Sequence, residues 1–115
     1  MNRPSRPAKK SSRTEAEPSL ELVELQAQKA ADFLKTMANK HRLMVLCALL
    51  EGEHSAGQLA ERLGATQPNT SQHLFKLKAE GLVETRRAAQ TIFYRLASTD
   101  IKPIIEHLHR LFCER

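Results

Sequence analysis

The sequence predicts a mainly α-helical fold with one small β-hairpin, and three observations carry that expectation. First, Ser55–Gly64 (SAGQLAERLG) reads as a short capped helix closed by a glycine, and TQPNTSQHLFKLKAEGL reads as a second helix directly after it. Second, Val83–Arg87 and Thr91–Leu96 alternate as strands, with Ala88, Ala89 and Gln90 between them. Third, positive charge gathers in the same stretch. Within residues 66–95, Lys76, Lys78, Arg86, Arg87 and Arg95 stand against Glu80 and Glu84, a net +3 in a chain of +5. A helix-turn-helix followed by a basic hairpin is a winged helix-turn-helix, an arrangement that sets one helix into a DNA groove and the hairpin beside it.

The 115 residues allow one domain with a tail. Residues 1–19 are rich in Pro, Ser, Lys and Arg, with no large apolar side chain beyond Met1. They cannot bury enough surface to offset ordering and are expected to be disordered, either adding non-specific phosphate contacts or serving as a solvated leader. Residues 20–115 form the expected DNA-binding and dimerisation domain. No apolar run reaches the roughly 18–20 residues that span a bilayer. The basic N-terminus has no apolar segment behind it before Leu20, unlike a secretory signal. These features predict a cytoplasmic protein, where thiols stay reduced and Cys47 and Cys113 need a reason other than a structural disulfide.

Each helix has its own signals. Leu20, Val23, Ala27, Ala30, Leu34 and Met37 step by three and four and form one apolar seam, which fits either a subunit interface or packing within the monomer. Asn39 caps the next helix, Lys40 to Leu50, which is apolar nearly all round and therefore central. Cys47 shares its stripe with Leu43, Leu46 and Leu50. Ser55 caps the first helix of the motif, and Thr66 caps the second, with Pro68 in its first turn. Ile101, Ile104, Ile105, Leu108 and Phe112 mark a final helix, with Pro103 expected in its first turn.

Thr70, Leu74 and Leu77 anchor the second motif helix to the core, which leaves Gln67, Pro68, Asn69, Ser71, Gln72 and Lys76 outward or near its start. Gln and Asn make paired hydrogen bonds to adenine, and Ser bonds base edges or phosphates. His73 fits a phosphate contact or a packing histidine. On the wing, Arg86, Arg87, Gln90 and Thr91 can grip phosphates or enter a minor groove, against the plainer reading of a solvated hairpin.

The run from Ala31 to Cys113, above all HRLMVLCALL, SQHLFKLKAEGLV and RRAAQTIFYRL, resembles the ArsR/SmtB winged-helix repressors. The resemblance implies a homodimer joined through its first and last helices on an imperfect palindromic operator. It also implies DNA contacts at Gln67, Pro68, Ser71 and Gln72. Many members of that family sense metals. The first motif helix, AGQLAERL, lacks the Cys-x-Cys pair of a thiophilic site, and Asp100-Ile101-Lys102 breaks the Asp-x-His pair of a zinc site. His107 and His109 are two apart and point about 160° from each other on a helix. No metal or other cofactor is expected.

The two cysteines offer another input. Cys47 in an apolar helix is commonly just a small core residue. Cys113 lies near Glu106, His109 and Arg110 on a helical wheel, off the Phe112 stripe, where exposure and nearby cations favour thiolate. LCALL with Cys47 and LHRLFCER with Cys113 resemble the dithiol branch of the family typified by the BigR, SqrR and HlyU regulators. That resemblance implies a repressor switched by reactive sulfur species or oxidants through a disulfide or polysulfide bridge. An anti-silencing activator of the same fold is the alternative, and a metal-sensing repressor a lesser one. No phosphate loop, nucleophile triad or carboxylate pair suggests an enzyme.

Overall fold

In the computed structural model, residue 17 and residues 19–113 are described, so the expected tail lies outside the described residues except for Glu17 and Ser19. The chain divides into two units, Met1–Ala31 and Asp32–Arg115. Helix α1, Leu20–Met37, begins in the first and ends in the second. Ser19 starts it, its Oγ accepting a hydrogen bond from the Leu22 N–H at 3.2 Å. Every residue from 20 to 31 is exposed. Of the apolar seam on α1, Met37 alone is buried, while Leu20, Val23, Ala27, Ala30 and Leu34 are exposed.

The second unit holds the core. Helix α2, Lys40–Ala48, starts at Asn39, whose side chain accepts from the Arg42 N–H at 3.0 Å. It tightens into a 3₁₀ turn over Leu49–Glu51 and stops at Gly52, whose φ of 132° few other residues adopt. The expected helix to Leu50 is therefore α-helical only as far as Ala48. Helix α3, Ala56–Leu63, has a full capping box: Ser55 Oγ accepts from the Gln58 N–H, and Gln58 Oε1 accepts from the Ser55 N–H. Gly64 closes it in the left-handed conformation, at φ 67°. Helix α4, Gln67–Ala79, follows after Ala65 and Thr66.

A short strand that the periodicity does not predict, β1 (His54–Ser55), pairs with β3 (Thr91–Leu96). Strand β2 (Val83–Ala88) pairs antiparallel with β3 on its other side, giving the order β1-β3-β2. The expected three-residue loop is two residues, because Ala88 pairs with Thr91. Ala89 then takes φ 57°, a left-handed value uncommon for a residue with a Cβ. Helix α5, Ser98–Phe112, begins early enough that Pro103 falls inside it rather than in its first turn. There it lacks the N–H that would bond the carbonyl four residues earlier.

Val45 and Leu46 of α2, Leu59 of α3, Leu74 and Leu77 of α4, Leu82 in the turn after α4, Val83 of β2, and Ile105 of α5 are almost wholly buried in one cluster. Each large apolar side chain so buried contributes about 1.5–3 kcal/mol. Thr70 joins them, its hydroxyl satisfied by donating to the Thr66 carbonyl at 2.9 Å. The cluster fixes α4 by one face and leaves the other in solvent.

Candidate nucleic-acid interface and cysteine pair

Thr66 defines the start of α4. Its Oγ1 accepts from the Asn69 N–H at 3.2 Å, and Pro68 occupies the first turn where an N–H has no helical partner. With Thr70, Leu74 and Leu77 buried, the expected Gln67, Pro68, Asn69, Ser71, Gln72 and Lys76 are all exposed. Gln67 packs close to Gly57 of α3, where an added Cβ would meet its Oε1 at 3.4 Å. His73 is half-buried and stacks on His41 at the start of α2, ring centroids 5.5 Å apart. Burial, and then the charges of His41, Arg42 and Lys76, push its pKa below the ordinary histidine value.

The wing stands beside this helix. A cleft of about 430 Å³ is lined by Gly57 of α3, Gln67 and Ser71 of α4, and Gln90 and Thr91 of the hairpin, among others. Gln67, Ser71, Gln90 and Thr91, expected separately from the sequence, therefore share one concave surface. The two wing arginines differ. Both are exposed, but Arg86 forks onto Glu53, its Nε 3.0 Å from Oε1 and a terminal nitrogen 2.7 Å from the same oxygen. The Arg86 guanidinium also lies over the Phe93 ring, 5.1 Å from its centroid. That hydrogen-bonded fork, with the charges of Arg86 and Arg95, holds the Glu53 carboxyl below its ordinary range. Arg95 completes the network with Glu84 at 2.7 Å. The grip on phosphate expected of Arg86 therefore competes with a bond inside the protein.

Cys47 and Cys113, 66 positions apart in sequence, line one cavity of about 600 Å³ between α2, α3 and α5. Leu43, Met44, Leu63, Leu108 and Phe112 give it an apolar wall, and Lys40, Glu51, Arg62 and His109 its polar edge. Cys113 caps the end of α5 and is exposed; Cys47 is half-buried. Burial, and then the negative charge of a Cys113 thiolate, push the Cys47 thiol above its ordinary pKa. The two thiols thus bear on each other's charge at one cavity, with Cys113 the more exposed of the pair. Among the described residues no three His, Cys, Asp or Glu side chains are grouped to hold a metal.

Sequence reasoning missed Glu53 and His41, because the partners of both lie far away in sequence. It also missed Phe75, which is exposed on α4 and which a helical wheel would have found.

A small antiparallel wing packed beside a capped helix-turn-helix defines a winged-helix protein, and the family model of bacterial regulatory proteins of the arsR family matches residues 39–85. The chain belongs to the ArsR family. It is 50% identical over 96 residues to the transcriptional activator HlyU of Vibrio cholerae, covering 84% of this chain and 89% of that one. It is 42% identical over 91 residues to the biofilm growth-associated repressor of Xylella fastidiosa, covering 79% and 80%. The solved structure of reduced HlyU from Vibrio cholerae superposes with a TM-score of 0.74 at 51% identity, over 82% of this chain and 99% of that one. These relatives are transcriptional regulators rather than enzymes. Among the described residues no helix is long and apolar enough to cross a membrane.

Proposed function

We infer that this protein is a cytoplasmic, homodimeric transcriptional repressor that reads double-stranded DNA and releases it when Cys47 and Cys113 become bridged. The observation that carries the thiol switch is the shared cavity of Cys47 and Cys113, on the side of α2 that also meets α5. In the reduced protein, α4 enters a major groove of an imperfect palindrome, with Gln67, Pro68, Asn69, Ser71 and Gln72 at base edges and His73 and Lys76 near phosphates. Arg87, Gln90 and Thr91 of the wing reach the neighbouring backbone. Arg86 joins them by exchanging Glu53 for a phosphate. The exposed apolar residues Leu20, Val23 and Leu34 of α1, and Leu111 and Phe112 of α5, support a second subunit on those helices. Residues 1–19, with five Lys and Arg against two Glu, add salt-sensitive contacts to phosphate.

The chemistry at the cavity balances in two ways. With peroxide, the Cys113 thiolate attacks the O–O bond, gives a sulfenic acid and releases water. The Cys47 thiol then displaces a second water to form the disulfide. With a low-molecular-weight persulfide, Cys113 accepts the outer sulfur and a free thiol leaves. Cys47 then attacks the inner sulfur and expels hydrogen sulfide, leaving a disulfide. If both cysteines are persulfidated first, loss of hydrogen sulfide leaves a trisulfide. A bridge between α2 and the end of α5 ties the core to the dimer helices and alters the spacing of the two α4 helices.

The relatives' names support both directions of regulation: the Vibrio protein is an activator and the Xylella protein a repressor. An anti-silencing activator would use the same reduced, DNA-bound state, and transcript changes on deletion separate the two. Mass spectrometry of proteolytic fragments after peroxide or persulfide tests the switch. A Cys47–Cys113 crosslink lighter by two hydrogens, or heavier by a sulfur beyond that, supports it. Modified but uncrosslinked cysteines would overturn it.

A further inference from the structure

The outward face of α4 carries one side chain that the polar contacts leave unused. Phe75 is 76% exposed, on a helix whose other large apolar side chains, Leu74 and Leu77, are fully buried. It follows Pro68 by seven residues, Ser71 by four and Gln72 by three, so all four lie along one face. At 1.5 Å per residue, Phe75 stands about 10 Å along the helix from Pro68, roughly three base-pair steps. Its flank is cationic: Lys76 and Lys78 are both exposed.

We propose that Phe75 is a specificity-determining residue that packs on the C5-methyl of a thymine in each half-site. This deepens, and rests on, the assignment of α4 as the DNA-reading helix. A benzyl side chain has no donor or acceptor with which to read a polar base edge. The thymine methyl is the apolar group that a base pair presents in the major groove, and contact with it discriminates thymine from cytosine and from the purines. Gln67 and Gln72 read polar edges toward the start of the helix; Phe75 adds an apolar position further along. Burying one methyl corresponds to about fourfold in affinity, hence about fifteenfold over the two half-sites of a palindrome.

The test is in-vitro selection from random-sequence duplexes by the reduced full-length protein, run in parallel with Phe75→Ala and Phe75→Leu. The selected wild-type duplex is then remade with deoxyuridine for thymidine at single symmetric positions. The proposal expects one thymine per half-site that Phe75→Ala no longer specifies and Phe75→Leu partly keeps. Deoxyuridine there should weaken wild-type binding about fifteenfold and leave Phe75→Ala unchanged. Phe75 is exposed, so both variants should keep the wild-type helical circular dichroism. Failure of the wild-type protein to select any sequence would overturn the DNA-reading assignment itself. Selection of one site by all three proteins, with equal deoxyuridine penalties, would overturn the Phe75 proposal alone. So would an unchanged site together with a shift in sedimentation of Phe75→Ala, which would make Phe75 a protein contact.

Discussion

At the scale of single residues, two side chains of α2 and α4 set testable chemistry. Cys47 and Cys113 share a cavity but not an environment. Burial, and then the charge of Cys113, push the Cys47 thiol above its ordinary pKa, while Cys113 sits exposed at the end of α5. Only thiolate is a nucleophile, so iodoacetamide at neutral pH should alkylate Cys113 first. Peptide mass spectrometry over time should show Cys47 lagging, with its rate still climbing at pH values where an ordinary cysteine has levelled off. Equal rates would contradict that environment. His73 has a depressed pKa through burial and the charges of His41, Arg42 and Lys76. Neutral His73 contributes stability above the ordinary histidine pKa of about 6.5, and that contribution is lost as pH falls through its lower folded value. Urea midpoints between about pH 7.5 and 5.5 should therefore drop more for the wild type than for His73→Gln.

At the scale of elements, legibility followed the range of the interactions. Helix starts at Asn39, Ser55 and Thr66 were readable because a cap is a contact three residues long, and all three side chains accept the expected N–H. The buried row Thr70, Leu74 and Leu77 was readable because helical period alone fixes it. Strand β1 was not, since two residues show no alternation and its partner β3 lies some forty residues on. Pro103 was misplaced by a turn because α5 starts at Ser98 with no side-chain cap to announce it. The role of Arg86 was hidden for the same reason as β1: its partner Glu53 is 33 residues away. Glu53→Gln should loosen that fork and free Arg86 for phosphate. DNA affinity should then rise a few-fold, because Arg86 no longer gives up an ion pair to reach phosphate, whereas Arg86→Gln should flatten the slope of log affinity against log salt by about one unit per subunit. An unchanged slope would leave Arg86 as a brace of the wing.

At the scale of the whole molecule, the account needs two copies and two thiols. The proposed dimer uses the exposed α1 seam as its interface, and Val23, 46% exposed, lies on that seam. Val23→Asp would bury an unpaired charge between subunits, costing several kcal/mol, and should weaken dimerisation more than a hundredfold without changing helix content. Sedimentation should show wild-type protein near twice the 13.0 kDa chain mass and the variant near one. The winged helix and its family were legible in the sequence because capping, period and motif are local. The meeting of Cys47 and Cys113 was implied by resemblance, and the shared cavity gives it a physical basis. The most direct test is the affinity of the selected duplex for reduced and persulfide-treated protein, by fluorescence anisotropy, in wild type, Cys47→Ser and Cys113→Ser. The account predicts that treatment weakens wild-type binding at least tenfold, reversibly with dithiothreitol, and leaves both variants bound. Equal release of DNA by the treated variants, or no release by the wild type, would contradict it.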